Sequence, residues 1–214
     1  MRNTGRLLPV LPSWFAYIAA AISTIGGFLY IGATLKGQTK PNRVTWSMWA
    51  LAPILSFFLQ MQQHVGAPAA TTLMYGVMPL IILIVSFFVP ESVWKITVWD
   101  SLCGIIALIG IGIWYFTPHP LVALVAEVIA DVVAGLPTLW KSWRHPESEI
   151  WVSYLVGGSS AVLTMLAIHH FTLSAWLFPA AIVAMNFLIV VGVVRGNRHP
   201  RVGSVSAAAG SLAK

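Results

Sequence analysis

The sequence predicts an all-α integral membrane protein with seven transmembrane helices, arranged as two parallel three-helix bundles around a linker helix. Three observations lead there. Of the 214 residues, 58% are hydrophobic and only 8% are charged, and the mean hydropathy is +0.83, which leaves too little polar surface for a soluble globule. Seven apolar stretches of membrane-spanning length follow one another with short connections. The chain also contains an internal repeat.

The spans fall in order at about 11–35, 44–63, 69–89, 96–116, 121–140, 150–168 and 173–194. The first follows MRNTGR as a signal sequence would. It runs longer than a signal h-region and has no small-residue cleavage site before a soluble domain, so it is expected to be retained. KGQTKPNR, HVGAP, PESVWK and TPHP close the first four spans. The tail from residue 195 onward, RGNRHPRVGSVSAAAGSLAK, is rich in Gly, Ser and Ala and is expected to be disordered.

Charge gives the orientation. With seven spans, Arg2 and Arg6 fall on one side, while Lys36, Lys40, Arg43, Lys95, Lys141, Arg144, Arg195, Arg198, Arg201 and Lys214 fall on the other. That segregation predicts an outside N-terminus and a cytoplasmic tail. It also accounts for the net charge of +6 without a nucleic-acid partner. The partners expected are the lipid bilayer and a small-molecule substrate, in a bacterial inner membrane. The single cysteine, Cys103, lies in an apolar run, so no disulfide framework or thiolate metal cluster is expected.

An offset of about 105 residues superposes Lys36 on Lys141, Pro41 on Pro146 and Trp46 on Trp151. An offset of about 100 superposes Thr72 on Thr172, Pro79 on Pro179 and Phe87 on Phe187. The predicted units are therefore residues 1–90 (first bundle), 91–117 (linker helix), 118–194 (second bundle) and 195–214 (tail).

The segment Pro137, Thr138, Leu139, Trp140, Lys141, followed by Trp143, Arg144 and Ser148, together with the three-one-three plan, resembles the PQ-loop and SWEET transporters. PnuC-type vitamin transporters share the plan. Thr138 stands where that family has Gln, and Gly32 where the first repeat would have Pro. The resemblance implies alternating access of a sugar, amino acid or vitamin-like solute. It also implies that Asn186, with Ser86 at the equivalent position of the first bundle, contacts substrate.

Read from the residues alone, Glu127 and Asp131 are four apart and share one helix face. Carboxylates in hydrocarbon cost a few kcal/mol each, about 2.5 to 3.5 on insertion scales, so the pair should face a cavity or a partner. Its roles are proton coupling or charge recognition, against a structural role as interhelical hydrogen-bonding glue. The matching positions of the first repeat hold Ile22 and Gly26, which predicts an asymmetric site. Asn186 offers two donors and an acceptor to a polyol, amino acid or nucleoside, or else bonds to a carbonyl freed by Pro179 or to Asp131. Pro53, Pro79, Pro137 and Pro179 interrupt spans, and Pro137 is the expected hinge. Most of the ten tryptophans sit at span ends as an interfacial belt; Trp176 is placed to stack on a substrate ring.

His64, His119, His169 and His170 have no carboxylate or cysteine at ligand spacing, so no metal is expected. No nucleotide, hydrolase or zinc motif occurs, and the seventh span has no lysine for retinal. The protein is expected to be no enzyme and to carry no cofactor. The expected function is small-solute transport. A non-transporting membrane protein, such as an assembly factor or receptor subunit, is the alternative.

Overall fold

The computed structural model describes residues 11–12, 14–62, 68–168 and 173–198. Among these it contains seven α-helices, two short 3₁₀ turns and no strand. The helices are α1 (Phe15–Leu35), α2 (Arg43–Gln62), α3 (Pro68–Phe88), α4 (Val98–Phe116), α5 (Pro120–Arg144), α6 (Trp151–Leu166) and α7 (Leu173–Arg198). Five stretches are long and apolar enough to cross a membrane: Phe15–Leu35, Ala70–Phe88, Val98–Phe116, Leu121–Arg144 and Trp176–Arg198. The helix α6 is apolar but shorter. This is the make-up of a multi-pass α-helical membrane protein.

Local chemistry moves several predicted ends. The first helix starts at Phe15, not near residue 11, because Leu11 precedes Pro12 and is kept out of the α region; Phe15 N–H then donates to Pro12 O at 3.0 Å. At its other end Gly37 takes φ 71°, with Gly37 N–H on Thr34 O and Gln38 N–H on Ala33 O, both 2.9 Å, which closes the helix and satisfies two carbonyls. Thr97 caps α4: its Oγ1 accepts from Asp100 N–H at 3.3 Å, and Asp100 Oδ2 accepts from Thr97 N–H at 2.6 Å. The predicted fifth span ended near residue 140, but α5 continues to Arg144. Lys141 and Arg144 suit its negative end, and Pro146 stops it by excluding His145 from the α region. The last helix likewise runs through Arg198 rather than giving way to a tail at 195. Arg2, Arg6, His64, His169, His170 and the tail beyond Arg198 lie outside the described residues.

The packing follows the sequence pattern closely. Buried positions of α1 (Ala16, Ala19, Ala20, Ser23, Gly26, Gly27, Tyr30, Ile31) recur every three or four residues, while Tyr17, Ile25 and Phe28 point outward. Its small side chains let the α6 backbone approach: Ser153 Oγ donates to Gly26 O at 2.6 Å and Ser160 Oγ to Ala19 O at 2.7 Å. On the opposite flank Thr71 Oγ1 of α3 donates to Ala16 O at 2.8 Å.

The main helix contacts form a ring. The helix α3 packs on both α1 and α2, α7 packs on both α5 and α6, and α1 meets α6 while α2 meets α5. The fourth helix lies outside, on α5 and α2, burying Cys103, Ala107, Ile111 and Trp114 and turning Ile105, Ile109 and Phe116 outward.

The connections 36–42, 89–97 and 145–150 meet at one end of the molecule. Lys40 N–H donates to Ser148 O at 2.9 Å, Trp94 N–H to Pro41 O at 3.2 Å, and Asn42 Nδ2 to Asp100 Oδ1 at 2.9 Å. This end carries Lys36, Lys40, Arg43, Lys95, Lys141, Arg144, Arg195 and Arg198, and is called the basic end below.

Candidate functional site

A cavity of about 110 Å³ lies inside the helix ring, with lining residues from α1, α2, α3, α5, α6 and α7. Its polar lining includes Asp131, Asn186 and Ser23; its aromatic lining is Trp46, Trp49, Tyr75, Tyr154 and Phe178.

The Asp131 side chain is brought here because α5 places it on the inward face, with Ala130, Ala134 and Thr138 buried around it. The residue is 5% exposed, and its carboxyl makes no hydrogen bond or ion pair with any described residue. Its backbone is fixed instead: Trp49 Nε1–H donates to Asp131 O at 3.2 Å, tying α2 to α5. One turn earlier, Glu127 accepts a short hydrogen bond from Ser56 Oγ of α2. The two carboxyls thus differ: one is held by a hydroxyl, while the other lines the cavity without a partner.

Asn186 lines the same cavity from α7. Its Nδ2 donates to Ile182 O at 2.9 Å, one turn back on its own helix. That carbonyl is not the one left free by Pro179, which would be Ala175 four residues before it. The second Nδ2 proton and Oδ1 remain uncommitted. Gly157 and Gly158 of α6 make room for this side chain: a methyl group on Gly157 would come 3.3 Å from Asn186 Oδ1.

The other predicted site residues lie elsewhere. Ser86 is fully buried near the end of α3, outside the cavity. Its Oγ donates to Leu83 O at 2.6 Å and accepts from Arg43 Nε at 3.1 Å, while Arg43 Nη2 donates to Ser86 O at 2.8 Å. It anchors the start of α2. Equivalence to Asn186 by sequence offset fails here, since α3 ends two residues past Ser86 whereas α7 continues for twelve past Asn186. Trp176 is half-buried on α7 and does not line the cavity, where Phe178 stands instead. Pro137 is buried inside an uninterrupted α5. Of the first-repeat counterparts, Gly26 does line the cavity. His119 is the exposed residue before α5, and no metal-ligand group occurs among the described residues.

Between the cavity and the basic end is an arrangement that sequence reasoning missed. Lys141, which the charge pattern places among the cationic residues of the cytoplasmic side, is fully buried within α5. Its Nζ is 2.5 Å from Glu149 Oε1 and donates to Lys40 O at 2.5 Å. Tyr154 O–H donates to Glu149 Oε2 at 2.9 Å. The Tyr30 ring stands 4.6 Å from that of Trp46 and 6.0 Å from that of Tyr154, centroid to centroid. Two of these aromatics, Trp46 and Tyr154, also line the cavity, so an aromatic layer and an ion pair lie between it and the loops of the basic end. The sequence held one signal: Glu149 follows Lys141 by eight residues across a turn containing Pro146.

Neither a family model, a curated protein nor a solved structure matches the chain.

Proposed function

We propose that this protein is a small-solute membrane transporter working by alternating access, with its central site at Asp131 and Asn186. The carrying observation is the Asp131 carboxyl, 5% exposed and without a partner among the described residues, in a cavity lined by helices from both halves of the chain. A charge removed from water without a partner costs several kcal/mol, so a residue serving structure alone would be paired, as Glu127, Glu149 and Asp100 are. An acid left open to a cavity is suited to take a proton or a cationic group in one state and release it in another.

The helix contacts support the three-one-three plan. In the ring, α1, α2 and α3 have the mutual contacts of α5, α6 and α7, and the crossing contacts α1 with α6 and α2 with α5 exchange under the same correspondence. Two similar units related by an axis along the membrane normal, with α4 as the linker, would give this pattern. In this reading the basic end is cytoplasmic, the layer of Tyr30, Trp46 and Tyr154 above the Lys141–Glu149 pair closes the cytoplasmic side, and Pro137 is the hinge. Exchange of a proton for solute at Asp131 supplies the coupling.

Uptake of a panel of sugars, amino acids, amines and vitamins by purified protein in liposomes, alongside Asp131→Asn, tests the proposal. Uptake of at least one class, reduced at least about tenfold in the variant, is expected. No flux across the panel, with Asp131→Asn changing only stability or the capture of a stoichiometric partner, would favour a non-transporting protein.

A further inference from the structure

We infer that the cavity binds a small organic cation, an amine or quaternary ammonium, with Asp131 as its counter-ion and the surrounding rings as its cage. The inference rests on the transport reading above and adds the class of solute. Among the described residues lining the cavity there is one carboxyl and no Lys, Arg or His. The buried lysine Lys141 is already neutralised by Glu149 and bonded to Lys40 O. The neighbouring acid, Glu127, is held by Ser56. An anionic solute would meet an uncompensated carboxylate, and a cation would meet a buried acid that lacks a partner among the described residues.

Hydrogen-bonding capacity distinguishes a cation from a polyol. Most of the donors around the cavity are already in use: Ser153 Oγ on Gly26 O, Trp49 Nε1 on Asp131 O, Tyr154 O–H on Glu149, and Tyr75 O–H opposite Ser160 Oγ at 3.3 Å. What remains is Ser23, Trp46 Nε1, part of Asn186 and Asp131, too few groups for a solute with a hydroxyl on nearly every carbon. Apolar and aromatic walls suit methyl or methylene groups on a charged nitrogen, because the face of a ring attracts a desolvated cation. Trp46, Trp49, Tyr75, Tyr154 and Phe178 supply five such rings. The cavity's ~110 Å³ is in keeping with a solute of this small size.

The probes are choline and the neutral alcohol in which carbon replaces its nitrogen, nearly equal in shape and different in charge. Binding to purified protein in detergent is read by titration calorimetry for wild type, Asp131→Asn and Asp131→Glu, each first shown to be folded by its thermal melt. The inference predicts saturable choline binding, at least about tenfold weaker binding of the neutral alcohol, a similar loss in Asp131→Asn and retention in Asp131→Glu. Equal binding of both probes, no binding of choline, or choline binding unaffected by Asp131→Asn would overturn it. Failure of the transport reading looks different. Choline that binds through Asp131 but is not moved into liposomes contradicts transport and leaves the cation site; uptake of a neutral solute without choline binding does the reverse.

Discussion

Lys141 Nζ lies 2.5 Å from Glu149 Oε1, and neither side chain has any exposed surface. The pair joins the last turn of α5 to the connection before α6, and through Lys40 O it also holds the connection after α1. Removing one partner leaves the other charged and buried, so Glu149→Ala should cost about 3 to 5 kcal/mol. Replacing both, as Lys141→Met with Glu149→Leu, should cost clearly less than the sum of the two single changes. Unfolding in detergent, followed by circular dichroism, measures the cycle.

Asp100 is 2% exposed and does two jobs, capping α4 through Thr97 and accepting from Asn42 Nδ2 at 2.9 Å. Asn42 Oδ1 in turn accepts from Val44 N–H at 3.1 Å and Thr45 N–H at 3.4 Å at the start of α2. Asp100→Ala should therefore lower stability by about 1 to 2 kcal/mol. Ser101→Ala, at an exposed position beside it, should stay within about 0.5 kcal/mol. Thermal melts of the two variants under one detergent condition check the contrast.

The seam between α1 and α6 depends on the absence of side chains. A methyl group on Gly26 would meet Ser153 O at 3.1 Å and a Val156 methyl at 3.3 Å. Gly26→Val is expected to force the helices apart and cost about 1 to 3 kcal/mol. Ile25→Val, on the outward face at 54% exposure, should be nearly neutral. The yield of monodisperse protein on gel filtration, with the melting temperature, reports the difference.

Sidedness can be read in intact cells. In a Cys103→Ala background, a membrane-impermeant maleimide should label His119→Cys, before α5, and should fail to label Lys95→Cys, in the connection at the basic end. Labelling with the opposite preference would reverse the orientation inferred from charge.

Much of the fold could be read from the sequence because hydrocarbon allows few solutions: every backbone group must be satisfied within a helix, so apolar length located most of the helices, although α2 is not among the five long apolar stretches and α6 is shorter. Ends were harder. They depend on single residues, as when Pro12 delays α1 and Lys141 with Arg144 prolongs α5. In the site, the spacing of Glu127 and Asp131 showed a shared face, and nothing in that spacing revealed that Ser56 would hold one of them and leave the other open. Ser86 lies outside the cavity that Asn186 lines, because a repeat aligns residues in sequence, whereas depth along a helix depends on where that helix ends. The burial of Lys141 could not be read from composition, since a lysine beside Trp140, Trp143 and Arg144 looks like any basic turn until the loops that cover it are in place.

The account stands or falls on whether the Asp131 cavity opens to both sides of the membrane. With Asn186→Cys in the Cys103→Ala background, the rate of modification by a small, charged, impermeant thiol reagent can be measured in right-side-out and inside-out vesicles. The account predicts modification from each side, slowed in both by a bound solute. A thiol that reacts from one side only, or from neither, would contradict it.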